Sequence, residues 1–170
     1  MSRGFVKEDD QEEAPIIPKR APLPANTPNY VTEFGLQLLK EEMEALVNEK
    51  KNIDEANETE KRRTLTVLNG RLSLLEERIQ SAQLVETENK IPLEIRFGST
   101  LKYKVISGKQ KGGERTFQIV GVDEANIKKQ KIAFTAPIVR SLMGLKIGEK
   151  IEFALGGQLQ TLEVTDIEYV

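Results

Sequence analysis

The stretch GLQLLKEEMEALVNEKKNIDEANETEKRRTLTVLNGRLSLLEERIQSA, residues 35–82, decides the fold. Its first half places Leu36, Leu39, Met43, Leu46, Lys50 and Ile53 at alternating steps of three and four, and its second half does the same with Leu65, Leu68, Leu72, Leu75, Ile79 and Ala82. Such steps put each set of side chains on one helical stripe. Two stripes of equal length, joined by about a dozen residues, predict two helices packed as an antiparallel coiled-coil hairpin. Reverse pairing sets Leu36 against Ala82, Leu39 against Ile79, Met43 against Leu75, Leu46 against Leu72, Lys50 against Leu68 and Ile53 against Leu65. No register conflict arises, and the turn falls near Thr59.

Helix ends agree with this reading. Thr32 is a candidate N-cap, with Gly35 tolerated in the first turn, and Asn57 with Glu60 three residues later reads as a capping box. Lys50 and Lys51 lie where the dipole of the first helix favours cations. Beyond the Ile53–Leu65 pair, Ala56 apart, the chain carries only polar side chains, among them Asp54, Glu55, Glu58 and Glu60, then Lys61, Arg62 and Arg63. NIDEANETEKRRT, residues 52–64, is therefore the exposed tip of a rod. The plain alternative is a solvated turn with helical ion pairs such as Glu58 with Arg62, each worth ~0.3 to 0.5 kcal/mol.

After ENKIP the period changes from helical to two. STLKYKVI alternates Leu101, Tyr103 and Val105, GKQKGGE is a glycine-rich turn, and RTFQIVGV follows as a second strand with Phe117 on the core side. A turn at DEAN leads to a short strand, KIAF. TAPIVRSLMG reads as a short helix with Thr135 as cap, Pro137 in the first turn and Gly144 as stop. Two further strands flank Gly156 and Gly157. The fold class is α+β: the helical hairpin followed by an antiparallel sheet with one short helix on a face. Domain bounds are 1–29 for a proline- and acid-rich arm, 30–86 for the hairpin and 92–170 for the C-terminal domain. The arm holds five of the seven prolines and an acidic run, Glu8, Asp9, Asp10, Glu12 and Glu13, a composition that predicts disorder.

Composition limits the chemistry. The chain has 170 residues and 38% hydrophobic content, enough for one modest core and an appendage. With no Cys and no His, thiolate zinc sites, disulfides, imidazole bases and the Ser-His-Asp triad are excluded. Carboxylates must carry any reaction. The 25 cations and 27 anions nearly cancel, so contact with nucleic acid is expected only indirectly, through a partner. Lys102, Lys104, Lys109, Lys111 and Arg115 alternate along strands as a solvated sheet face does. Gly108, Gly112 and Gly113 do not open a helix, which argues against a phosphate cradle. No signal-peptide run and no membrane span is evident, so a cytoplasmic location without membrane contact is expected, and the internally satisfied seams point to a monomer.

The order of GRLSLLEERIQSAQLV, RFGSTLKYKV, FQIVGVDEANIKKQKIAF, APIVRSLMGLKIGEKIEF and LEVTDIEYV resembles the bacterial transcript-cleavage factors GreA and GreB over residues 29–170. The resemblance implies an FKBP-like C-terminal domain docked on RNA polymerase at the rim of its secondary channel, with the hairpin inserted. Thr135, Ala136 and Pro137 stand in the family's docking segment, and Pro137 matches it directly. The resemblance further implies that tip acids, here Asp54, Glu55 and Glu58, help hold a shared Mg²⁺ at the polymerase active site and stimulate cleavage of backtracked RNA. The factor is then no enzyme itself and has no cofactor of its own. Two differences stand out. The family's Asp-x-x-Glu-Asn tip pattern with a following tyrosine is not matched, and each helix is shorter by about ten residues, roughly 15 Å of reach. Both favour polymerase binding over cleavage, with a non-catalytic channel occupant as the alternative. A prolyl isomerase is disfavoured, because no Trp and only 5% aromatics leave little to line a proline pocket.

Overall fold

The structure is a computed structural model and describes residues 13–87 and 91–169. The chain enters through a short strand β1 (Asn29–Val31), then helices α1 (Glu33–Lys51) and α2 (Glu58–Gln80), and leaves the hairpin through β2 (Ala82–Leu84). The C-terminal domain follows as β3 (Ser99–Val105), β4 (Glu114–Val120), a 3₁₀ turn at Ile127–Lys129, β5 (Lys131–Ala133), α3 (Pro137–Leu142), β6 (Lys150–Leu155) and β7 (Gln158–Tyr169).

The leucine stripes form the expected seam. Leu39, Leu46, Leu68 and Leu75 are buried between the helices, flanked by the partly buried Leu36, Met43, Ile53, Leu72, Ile79 and Ala82. Thr32 caps α1 by accepting the Gly35 N–H at 2.9 Å, and Asn57 caps α2 by accepting from Thr59 and Glu60. Three details differ from the sequence reading. Lys50 is exposed rather than seated in the seam, because a terminal ammonium at the end of α1 reaches water more cheaply than it packs. The turn spans 52–57, so Thr59 lies inside α2 rather than at the turn, since the Asn57 cap starts the helix before it. Ala82 also opens a strand: β1 and β2 pair in parallel as a two-stranded ladder at the root of the rod.

In the C-terminal domain the five-stranded sheet has the order β5-β4-β3-β7-β6. Three of its ladders are antiparallel and the edge strand β5 pairs parallel to β4. Period-two burial works as expected along β3, with Leu101, Tyr103 and Val105 buried and Lys102 and Lys104 exposed. Phe117 meets Tyr103 edge to face at 6.2 Å between centroids. Val139 and Leu142 of α3 close the core over the sheet. Pro137 opens α3 as expected, but the N-cap is Ala136 without a side-chain bond, not Thr135, which sits one residue earlier in the turn. Gly156 and Gly157, both at positive φ, make the tight β6–β7 turn.

Residues 1–12 of the expected disordered arm lie outside the described residues. Residues 13–28 contain no helix or strand, yet they run along the hairpin as an extended strap instead of lying free. Ile17 sits on Gly70, Arg20 reaches Glu42 and Asp123, and the Glu13 carbonyl accepts from Arg63 Nη2 at 3.3 Å. Specific side chains thus offset the ordering entropy that bulk composition leaves uncovered.

Candidate functional site

The hairpin tip is built by the ends of two helices. Asn52 ends α1 with its N–H on Asn48 and Glu49 carbonyls, Ile53 plugs the end of the seam, and Asn57 starts α2. Between them the chain can only turn outward. Asp54 and Glu58 are exposed, and Glu58 and Glu60 occupy the first turn of α2, where the helix dipole favours anions.

Glu55 behaves differently. Its Oε1 accepts the Thr64 hydroxyl at 2.8 Å and its Oε2 is buried without a hydrogen-bond partner. The carboxylate is turned back onto α2, so two of the three candidate tip acids point to solvent. The ion pair formed beside them is Glu60 with Arg63 at 3.9 Å, in place of the expected Glu58 with Arg62. Among the described residues no three acidic side chains gather as a metal-holding group. Asp54 and Glu58 do offer exposed carboxylate oxygens, the donors Mg²⁺ takes one or two at a time while keeping waters. That donor set fits a shared ion and not a self-contained site.

The candidate docking segment lies elsewhere, at the entry of α3. Thr135 and Ala136 are half-buried, with Ala136 against the sheet core, while Pro137 is exposed. The strand lysines face anions rather than an open basic patch: Lys102 is opposite Asp166, and Lys104 is opposite Glu114 and Glu163. Among the described residues no helix is long and apolar enough to cross a membrane.

The sequence reading missed the joint between rod and sheet. It took DEAN as a plain turn, but Asp123 and Glu124 both bind the hairpin side. Glu124 is buried at the start of α1, accepts the Thr32 hydroxyl and pairs with Lys131 at 2.6 Å. A Cβ on Gly35 would stand 2.7 Å from Glu124 Oε2, which is why glycine occupies that first turn. Asp123 holds Arg78 of α2 at 3.2 Å and Arg20 of the strap at 2.8 Å. Arg20 in turn grips Glu42 of α1 with Nη1 at 2.9 Å and Nη2 at 3.0 Å. Burial works against the Arg20 charge, but the hydrogen bonds and charges of Glu42 and Asp123 outweigh it and hold its pKa above the ordinary value. An aromatic trio completes the joint, with Tyr30 of β1 packed on Phe97 at 5.7 Å and Phe134 at 5.6 Å.

The structure thus sets a rod of two helices on a five-stranded sheet. Residues 91–169 match the family described as Transcription elongation factor, GreA/GreB, C-term. Transcription elongation factor GreA of Hyphomonas neptunium is 32% identical over 102 residues, 60% of this chain and 63% of that protein. The Legionella pneumophila GreA is 33% identical over 103 residues, 59% of this chain and 62% of its own length. The matched region thus spans less than two thirds of these curated relatives. A solved structure, the prokaryotic transcription elongation factor GreA/GreB from Nitrosomonas europaea, covers 82% of this chain and 97% of its own at 20% identity, with a TM-score of 0.41.

Proposed function

We propose that this chain is a Gre-like transcription elongation factor that binds bacterial RNA polymerase at its secondary channel. The observation that carries the reading is the union, in one chain, of a GreA/GreB-type C-terminal domain with a helical rod whose distal turn exposes the carboxylates of Asp54 and Glu58. The C-terminal domain, with Thr135, Ala136 and Pro137, docks on the channel rim, and the hairpin enters. The protein is not an enzyme in its own right. Any nucleic acid it meets belongs to the elongation complex.

Asp54 and Glu58 are the acids available to the polymerase's Mg²⁺, with Glu55 set behind them on Thr64. When bound, such a second metal polarises the scissile phosphate and its attacking water. This chain's part is to carry carboxylates to the end of a rod and keep them clear of internal partners.

A second reading is favoured by two observations. Helix α1 has 19 residues, about 28 Å, and Glu55 is turned inward. A short rod with fewer free acids suits a channel occupant that regulates the polymerase without supporting cleavage. The test is transcript shortening in a stalled, backtracked elongation complex with Mg²⁺ and increasing protein. Shortening that disappears in the Asp54→Ala, Glu55→Ala, Glu58→Ala triple variant supports the cleavage role. Suppression of a competent factor's cleavage, unaffected by those substitutions, supports the occupant. Absence of both effects sinks polymerase binding.

A further inference from the structure

We propose that Arg20 is a positioning residue, a guanidinium strut that fixes the direction of the hairpin relative to the C-terminal domain. The inference rests on the polymerase-binding reading only where it concerns what that direction is for.

The argument is one of leverage. Among the described residues, the Tyr30 aromatic packing, the Tyr30 carbonyl against Gly121, the Thr32–Glu124 hydrogen bond and the Lys131 ammonium over the Phe34 ring join the rod to the sheet domain at the root of the rod. Arg78 meets Asp123 from farther up, because the seam sets its neighbour Ile79 against Leu39, and Arg20 carries the tie past it to Glu42. Ties close to a pivot resist translation well and rotation poorly. A swing of about 10° at the root would carry the tip of a 19-residue helix through about 5 Å.

Glu42 lies ten residues beyond Thr32, about 15 Å along the helix axis. One guanidinium bridges it to Asp123 of the C-terminal domain, with Nε and Nη2 on Asp123 Oδ1 at 3.0 and 2.8 Å and Nη1 and Nη2 on the two Glu42 oxygens at 2.9 and 3.0 Å. The slack a hydrogen bond tolerates is about 0.5 Å. At 15 Å from the pivot that slack permits about 2°, or about 1 Å at the tip. The planar fork of arginine suits this use, because it fixes angle as well as distance at each carboxylate. Arg20 belongs to neither body it connects. The strap supplies it, with its own backbone pinned by Arg78, which donates to the Ala21 carbonyl at 2.7 Å.

A factor that docks by one domain and works by the end of a rod needs its rod aimed before docking, because angular freedom spends binding energy on ordering. Arg20 supplies that aim without occupying the tip or the docking segment.

The chain has no cysteine, so spin labels can be placed at Ala56→Cys in the tip turn and Lys109→Cys in the β3–β4 turn without background. The distance distribution between them reads the rod's angle directly in the free protein. The intact chain should give one narrow distribution. Arg20→Ala should widen it at least twofold, Glu42→Gln should widen it while leaving the Arg20–Asp123 contact in place, and Arg20→Lys should fall between. Lys19→Ala, a neighbouring exposed cation, should leave it narrow. Equal widths for Arg20→Ala, Glu42→Gln and the intact chain overturn the strut, whatever the polymerase does. If the widths differ, competition of the same variants against a cleavage factor for polymerase decides the purpose. Weaker competition by several-fold in Arg20→Ala and Glu42→Gln, graded as the widths are, supports positioning, and equal competition overturns it. If the intact chain itself fails to compete, the polymerase reading fails while the strut, measured on the free protein, stands.

Discussion

Gly70 provides the sharpest test of how the strap is held. Glycine in the interior of a helix costs about 1 kcal/mol relative to alanine, so its presence in the middle of α2 calls for a cause. The cause is Ile17. A Cβ at Gly70 would stand 2.3 Å from Ile17 Cδ1, 2.8 Å from Cγ1 and 2.9 Å from Cγ2, so no single rotation of a methyl group relieves it. Gly70→Ala must expel the side chain. Ile17 is already 36% exposed, so its expulsion costs about 1–2 kcal/mol of the 1.5–3 that full burial is worth.

Global and local stability should then part company. The helix gains about 1 kcal/mol, which nearly cancels the loss, and Tm should stay within about 4 °C of the parent. The strap loses its anchor without sharing the helix's gain, so its open population should rise about 5- to 30-fold. Trypsin reads that population at Lys19 and Arg20, where Arg20 is held in a part-buried ion cluster. Limited proteolysis followed by mass spectrometry should show faster release of the N-terminal segment at unchanged Tm. Ile17→Ala should do the same, and adding Gly70→Ala to it should bring only the helix gain, a strongly non-additive cycle. Unchanged cleavage in Gly70→Ala would falsify the seat, and a Tm fall beyond 10 °C would assign Gly70 to the hairpin core instead.

Two further outcomes follow from burial. Leu75 is fully buried in the seam, so Leu75→Ala should cost about 2–5 kcal/mol in thermal unfolding followed by circular dichroism. Lys50→Ala, at an exposed position the stripe would place inside, should change it by no more than ~0.5 kcal/mol. Burial also pushes the Tyr103 phenol above its ordinary 10.0, against an opposing pull from Arg115. The unfolded chain therefore gives up that proton first, so this contribution is intact below pH 10 and declines as pH rises through and above it. Tyr103→Phe should flatten that part of the alkaline stability profile, and a profile identical to the parent's would refute the assignment.

The hairpin was legible because its information is local. A three-four step and two N-caps lie within spans of a few residues, and Leu39, Leu46, Leu68 and Leu75 fall where the stripe puts them. The alternation of β3 and the glycine pair between β6 and β7 are equally local. What the sequence did not disclose depends on partners far apart along the chain. Arg20 and Asp123 are 103 residues apart, Thr32 and Glu124 are 92 apart, and nothing near either end marks the other. Composition misled at the strap for the same reason: five prolines and a run of acids predict a free arm, while a single isoleucine on a glycine and a single arginine between two carboxylates tie its later half down. The tip was read correctly as exposed, but residue type alone could not tell that Glu55 turns back to Thr64 while Asp54 and Glu58 face out.

These long-range ties bear on where a rod with a 19-residue first helix places its end. A rod's tip error grows with its length and with the looseness of its root, so a short rod braced at mid-length delivers its end group to a more closely defined place than a longer one held only at its base. Adjacent residues in one turn serve both requirements here. Glu124 closes the start of α1 through Thr32, and Asp123 holds the Arg20 strut that reaches Glu42. In the proposed function, the surface that receives the C-terminal domain therefore also sets where Asp54 and Glu58 arrive. Reach and aim are separate quantities, and the joint at Asp123 and Glu124 fixes the second irrespective of whether the first is sufficient for cleavage.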